Sequence, residues 1–167
     1  MEMTIINERT IKFDSVTRAD IPFHNFAGKA TDYNDEGNRN FNLSLSDEQA
    51  NALKNMGIGV PDPKMKEDGT FWDPMVKINL KYNHYPDRMN PTNIITSGPS
   101  ITRYFAGGGS VEINENTVKE LDTDQYESMA FLVTTYLSPR SRTGLKTLYL
   151  RELRYLIEPN PLDGIYD

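Results

Sequence analysis

The sequence has 167 residues, of which 37% are hydrophobic, 10% aromatic and 25% charged, and its formal net charge is −6. That length is enough for one domain with a buried core. The sequence contains no cysteine, which excludes disulfide scaffolds, thiolate zinc sites and cysteine nucleophiles. The negative net charge argues against strong, indiscriminate binding to duplex DNA.

In chain order, the first part of the sequence predicts short extended segments separated by a turn. Phe41, Leu43 and Leu45 alternate with polar residues, a pattern typical of a half-buried strand. The turn formers before this strand should reverse the chain. The expected strands lie at residues 10–16, 22–26 and 40–45, and the expected turn lies at residues 33–39.

A short helix is predicted next. Ser46 is followed three residues later by Gln49, which is the spacing of a capping box. Ala50 and Leu53 would line one side of the helix, and Gly57 stands where a left-handed C-cap is expected.

The remaining elements are mostly strands. In the clearest of them, at residues 75–82, Val76 and Ile78 point inward while Lys77, Asn79 and Lys81 point outward. A polar loop should follow this strand. Further strands are expected at residues 93–96, 111–113 and 129–137, with a small acidic helix at residues 114–121.

The last element, residues 145–157, fits two interpretations. Its leucines and tyrosines suit a helix, but they also suit a strand whose alternation slips by one residue. A β-bulge produces such a slip, and the preceding basic turn and apolar strand favour a bulged hairpin partner. Many short strands with one or two helices then predict a mainly β fold, a small barrel or sandwich.

The sequence contains few features typical of an enzyme, a metal site or a membrane protein. The only histidines, His24 and His84, do not stand at a metal-ligand spacing. The run 107–110 is more typical of a flexible turn than of a phosphate loop, and the paired aspartates are more typical of solvated turns than of metal sites. We therefore expect no enzyme activity, no cofactor and no metal. Since neither a secretion signal nor an apolar run of ~20 residues is present, we expect no membrane association and a cytoplasmic location.

Basic and aromatic residues lie close together at several places, which is what a single-strand binder requires. Lys77 and Lys81 would lie about 13 Å apart on one strand face. Trp72 lies on a loop where it could cover the core or stack on a ligand, and the basic turn at residues 138–144 could be a simple hairpin tip. The candidate phosphate contacts are Arg39, Lys77, Lys81, Arg103, Arg140, Arg142 and Lys146, and the candidate stacking residues are Trp72 and Tyr104.

The order of these segments resembles a family of phage-encoded single-stranded-DNA-binding proteins. The resemblance covers roughly residues 10–158, and the stretch 103–110 looks like an insertion relative to the family. Relatives usually carry a tryptophan soon after the helix-ending glycine, where this chain has Ile58 and Gly59. The segments that carry the resemblance are residues 25–28, 33–41, the capped helix ending at Gly57, and residues 76–82, 93–97, 118–122 and 144–150.

The resemblance implies an OB-like β-barrel that coats single-stranded DNA in phage replication or recombination, in the cytoplasm of the host cell. It divides the chain into one binding domain, residues 1–158, and a short acidic tail, residues 159–167. Such tails often recruit replication or recombination proteins, although a docked or frayed terminus is the simpler interpretation. The oligomeric state stays open, including a homo-oligomer.

Two other classes of function remain as alternatives. A phage structural or protein-interaction protein, such as a virion component or an inhibitor, suits the acidic composition equally well. A metal-dependent nuclease built from scattered carboxylates is a distant third.

Overall fold

The computed structural model describes residues 1–158, and strands dominate this part of the chain. One α-helix, α1 (Asp47–Asn55), and two 3-10 helices, Arg18–Asp20 and Val118–Asp122, accompany them. The mainly β prediction is confirmed. The strands are β1 (Glu2–Asn7), β2 (Thr10–Val16), β3 (Phe23–Asn25), β4 (Arg39–Ser44), β5 (Met75–Leu80), β6 (Asn83–Pro86), β7 (Ile94–Ser97), β8 (Ser100–Phe105), β9 (Ser110–Ile113), β10 (Tyr126–Tyr136) and β11 (Thr147–Ile157).

Nine of the described strands form one sheet, and β6 and β7 form a separate two-stranded sheet. The main path runs β1-β2-β10-β11-β5-β4-β3, and β8 and β9 branch from β11. The centre is the long antiparallel hairpin of β10 and β11. On its other edge, β11 first pairs in parallel with β5 at Leu148 and Tyr149, and then with β8 from Glu152 to Ile157. The sheet therefore forks along β11 into two wings. One wing consists of β5, β4 and β3, and the other consists of β8 and β9.

Within residues 1–158 the strands do not close into the barrel expected from the OB-like resemblance. The end strands of the main path, β1 and β3, do not pair with each other. Because β11 divides its free edge between β5 and β8, the sheet splits instead of continuing around to close on itself. The fork coincides with a bulge, since Leu132 pairs with Glu152 while Val133 pairs with Leu150. A bulge kinks a strand and increases its twist, which suits a point where two strands diverge.

The open sheet still curves around one core. Phe41 of β4 contacts Phe131 of β10 at a ring-centroid distance of 5.3 Å, although β5 and β11 lie between their strands. Phe13 and Phe26 pack against this pair at 5.1 and 5.2 Å. All four rings are buried, so burial of the strands' apolar sides is the main driving force for the fold.

Several local predictions are confirmed. The strand at residues 10–16 has the expected bounds. The hydroxyl of Ser46 accepts a hydrogen bond from the Gln49 N–H at 3.1 Å, and the Gln49 side chain accepts one from the Ser46 N–H at 2.9 Å. Gly57 has φ +81°, as a left-handed helix end requires. The last element is the bulged strand.

Other elements differ from the sequence-based expectation. The strand predicted at residues 75–82 ends at Leu80, and the expected polar loop after it contains β6. The stretch 103–110, which looks like an insertion relative to the family, contains the end of β8, a glycine turn and the start of β9. The acidic helix is a shorter 3-10 helix, Val118–Asp122. Neither β1 nor β8 was expected, because few of their side chains are buried. β1 pairs with the neighbouring β2, whereas β8 is held by pairing with the distant β11.

No helix within residues 1–158 is long and apolar enough to cross a bilayer. In the same range, no group of three or more His, Asp or Glu side chains is arranged to hold a metal ion. The acidic tail, residues 159–167, lies outside the described residues.

Candidate nucleic-acid interface

Strand pairing brings polar and aromatic side chains together on the solvent side of one wing. Along β5, Val76 and Ile78 are buried in the core, whereas Lys77 is exposed and Asn79 is half-buried. Because residues directly opposite in a sheet point to the same side, the register assigns neighbours to these outward residues. We call this surface the outer face; its residues are Phe23, Asn25, Asn40, Asn42, Lys77, Asn79 and Tyr149.

The outer face has two parallel rows. In the first row Phe23 is opposite Asn42, which is opposite Lys77. The second row places asparagines on three successive strands and ends at a tyrosine on β11. Its members are Asn25, Asn40, Asn79 and Tyr149.

A groove of about 790 Å³ lies over the second row. The chain segment 31–38 forms one wall, and the end of β5 with the residues after it forms another. The groove brings together three of the cationic residues proposed from the sequence, Arg39, Lys77 and Lys81. It also contains Tyr33, Tyr82, Glu115 and Tyr149.

Asn34 fixes the wall formed by residues 31–38. Its amide nitrogen donates to the carbonyls of Lys29 and Asn38, both at 2.9 Å, and its side-chain oxygen accepts from the Asn40 amide at 3.0 Å. The wall is therefore tied to the groove floor by side-chain bonds. Tyr33 at its rim is 97% exposed, which leaves the ring free to contact a ligand.

The lysines in the groove are available for a ligand. Within residues 1–158, neither the Lys77 nor the Lys81 ammonium has a carboxylate oxygen within 4.0 Å. Arg39 is more constrained, because its guanidinium donates to the Phe26 carbonyl at 2.7 Å. The groove also holds three carboxylates, and one of them, Glu115, is bonded to His84 with 2.5 Å between Oε2 and Nε2.

Tyr82 marks one end of the groove and is firmly held. The Arg39 guanidinium lies 5.8 Å from the centroid of its ring, and a Cβ built on Gly98 would lie only 2.4 Å from that ring. Burial raises the pKa of Tyr82 to about 12, so the hydroxyl is neutral near pH 7. Within residues 1–158 this buried hydroxyl has no hydrogen-bond partner. Because a Cβ at position 98 would clash with the Tyr82 ring, position 98 must be a glycine for the ring to keep this place.

Aromatic pairs flank the polar rows. Trp72, from the loop before β5, meets Phe23 at 5.5 Å, and the two side chains are 37% and 46% exposed. At the other end Tyr149 meets Tyr136 at 5.9 Å. Phe23 and Tyr149 are separated by three strand spacings, or about 14 Å across the sheet. For Trp72 the sequence left two roles open, covering the core or stacking on a ligand. The structure places this side chain half-exposed beside the outer face.

Arg103 and Tyr104 lie on the other wing. The Arg103 guanidinium is 3.0 Å from Asp124 and 3.4 Å from Glu120, and it donates to the Tyr155 hydroxyl at 2.9 Å. Its side chain is only 12% exposed, so it serves the packing of that wing. Tyr104 is exposed on β8, which the fork separates from β5.

The remaining three candidates lie at or beside the tip of the β10–β11 hairpin. Arg140 and Arg142 are exposed there and have no carboxylate partner among the described residues. Lys146 is half-buried, and its ammonium donates to the Met56 carbonyl at 3.2 Å, just past the end of α1. Cations are favourable at that end of a helix, so Lys146 has a structural role.

Sequence reasoning missed much of the outer face. The alternation around Phe41 already placed Asn40 and Asn42 on the solvent side, and this was the available signal. No sequence pattern indicated that Phe23 and Tyr149 belong to this face, because β3 is only three residues long and the phase of β11 depends on its bulge.

The chain matches a known protein family. A family model described as "Putative phage ssDNA-binding domain" matches residues 4–157. No curated protein and no solved structure matches the chain. The matched range contains the whole groove and both aromatic pairs.

Proposed function

The chain belongs to this family of phage single-stranded-DNA-binding domains, and from that premise we propose that it binds the strand across the outer face. The binding is non-enzymatic and tolerant of base sequence. The protein would act in phage DNA replication or recombination, in the cytoplasm of the host cell.

The observation that carries this proposal is the position of Lys77 between two aromatic pairs that reach solvent. A single strand needs cations for its phosphates and flat rings for its bases. Lys77 and Lys81 provide unpaired ammonium groups, Trp72 with Phe23 provides one stacking platform, and Tyr149 with Tyr136 provides the other. Bases paired inside a duplex could not reach these rings, which favours the single strand.

The acidic composition fits a selective site. With a net charge of −6, the molecule as a whole repels nucleic acid at long range. The local lysines and the rings must therefore supply the affinity, and the attraction should weaken as salt rises. The exposed Arg140 and Arg142 come four and six residues after Tyr136 in the chain, so they offer further phosphate contacts where the strand leaves the outer face.

The test is a fluorescence-anisotropy titration of a labelled dT oligonucleotide of about 10 nucleotides at several salt concentrations. Duplex of the same length is the control ligand. The parent should bind the single strand more tightly than the duplex. A double variant, Lys77→Gln with Lys81→Gln, should lower the slope of log affinity against log salt by about 1.4, since each single-strand phosphate contact contributes about 0.7.

A matched variant, Lys54→Gln with Lys119→Gln, removes the same net charge from exposed positions outside the groove. It should leave the slope close to that of the parent. Equal effects of the two variants would mean that the outer face is not the site. Absence of single-strand binding at low salt would reject the function and return the chain to the virion-component or inhibitor alternative.

A further inference from the structure

The β6–β7 hairpin, which we call the arm (residues 83–97), stands apart from the main sheet. It forms a two-stranded sheet of its own, and Met89 and Ile94 are 92% and 62% exposed. An isolated two-stranded hairpin is marginally stable in water, and exposed apolar side chains on such an element indicate a contact surface.

The register of the arm divides its side chains between two faces. Tyr85 is opposite Ile95, and Pro86 is opposite Ile94. Successive residues point to opposite sides of a strand, so Tyr85 and Ile95 share one face. Pro86 and Ile94 share the other face with His84.

The orientation of the arm follows from His84. Its Nε2 lies 2.5 Å from Oε2 of Glu115, and Glu115 lines the groove. The face that carries His84, Pro86 and Ile94 is therefore on the side of the arm where Glu115 and the groove lie, although no arm residue lines the groove itself. The base of the arm is fixed at the same place, since Tyr82 lies directly before β6 and packs against Gly98 just after β7.

We propose that this face of the arm is a further wall of the DNA site, with Pro86 and Ile94 packing against bases of the strand that occupies the groove. The inference rests on the proposed function. Nucleobases suit the surface because their faces are flat and apolar. The Glu115 carboxylate of the groove is already bonded to His84, which reduces the repulsion that a phosphate would meet there.

Two neighbouring isoleucines give a matched test. Ile94 is on the groove side of the arm and Ile95 on the opposite side, and both are exposed, at 62% and 36%, so replacing either should leave the fold intact. We expect Ile94→Asn to weaken binding of a labelled dT oligonucleotide about fivefold, from the apolar area that a base would cover. Ile95→Asn should bind as the parent does. Circular dichroism and a thermal melt confirm that both variants are folded.

Parent-like binding by Ile94→Asn, or equal weakening by both variants, would overturn the role of the arm while leaving the proposed function intact. The arm inference would also fall if Ile94→Asn changed the sedimentation coefficient of the DNA-free protein, because the arm would then contact a second copy. If the parent binds no single strand, both the function and the arm inference are rejected.

Discussion

The two halves of β11 show how similar residues acquire different roles. Beside its first half, on β5, Lys77 projects into solvent without a carboxylate partner among the described residues. Beside its second half, on β8, Arg103 is held by Asp124, Glu120 and Tyr155. Both cations lie on strands that pair in parallel with β11.

The difference comes from the pleat. Lys77 alternates with the buried Val76 and Ile78, so it points outward. Arg103 is opposite Tyr155, which is 1% exposed, so it points inward and requires acceptors there. A basic residue near aromatic residues in the sequence is thus a binding candidate only when the pleat directs it to solvent.

The largest expected effect is the loss of the inward cation. Arg103→Ala removes the guanidinium that pairs with the Asp124 carboxylate and donates to the Tyr155 hydroxyl, and within the described residues it leaves those two groups bonded only to each other. It should lower the free energy of unfolding by about 2–4 kcal/mol. Urea denaturation at pH 7 measures this change in the free energy of unfolding. The control is Arg154→Ala, because that guanidinium is 63% exposed beside Glu152 and should cost less than about 1 kcal/mol. Equal destabilisation by both variants would mean that burial of Arg103 contributes nothing.

A second, smaller effect compares an aromatic residue on each wing. Trp72 and Tyr104 are 37% and 39% exposed, but only Trp72 borders the outer face. Trp72→Ala should weaken single-strand binding by about 1–3 kcal/mol, the usual loss for one stacking ring. Tyr104→Ala should leave binding unchanged in the same anisotropy titration. A larger loss with Tyr104→Ala would move the binding site to the other wing.

The smallest expected effect concerns Asp122, which joins the two wings. Its carboxylate accepts hydrogen bonds from the N–H groups of Phe26 and Ala27 at 2.9 and 2.8 Å, and His24 Nδ1 lies 2.7 Å away. Burial alone would raise the pKa of Asp122, but these hydrogen bonds outweigh burial and hold the pKa below its usual value.

A lowered pKa means that Asp122 stabilises the folded state fully above the unfolded-state value of about 3.9 and loses this contribution as pH falls through the folded-state value. Asp122→Asn should lower the free energy of unfolding at pH 7 by about 1–2 kcal/mol. The difference from the parent should shrink as pH falls below about 4, in chemical denaturation at a series of pH values. A difference that stays constant down to pH 2 would contradict this assignment.

Much of the local structure could be predicted from the sequence. The capping box at Ser46 and the alternation in β4 and β5 depend on residues close in the chain, and each is confirmed. Membership in the phage single-stranded-DNA-binding family also agrees with the resemblance in segment order. Of the candidate site, the sequence identified Lys77 and Lys81 as outward neighbours, and the structure places both in the groove with Arg39.

Only the tertiary structure decided how these pieces combine. The fork along β11, the strand β8 and the inward position of Arg103 depend on pairing between residues about 50 positions apart, and no local pattern specifies that pairing. The same holds for the outer face, since Phe23, Asn42 and Lys77 become neighbours only through the register of three strands. The sequence by itself determined which side of each strand is apolar, because alternation is local. Which strands lie side by side was settled by how their apolar sides could be buried together in one core.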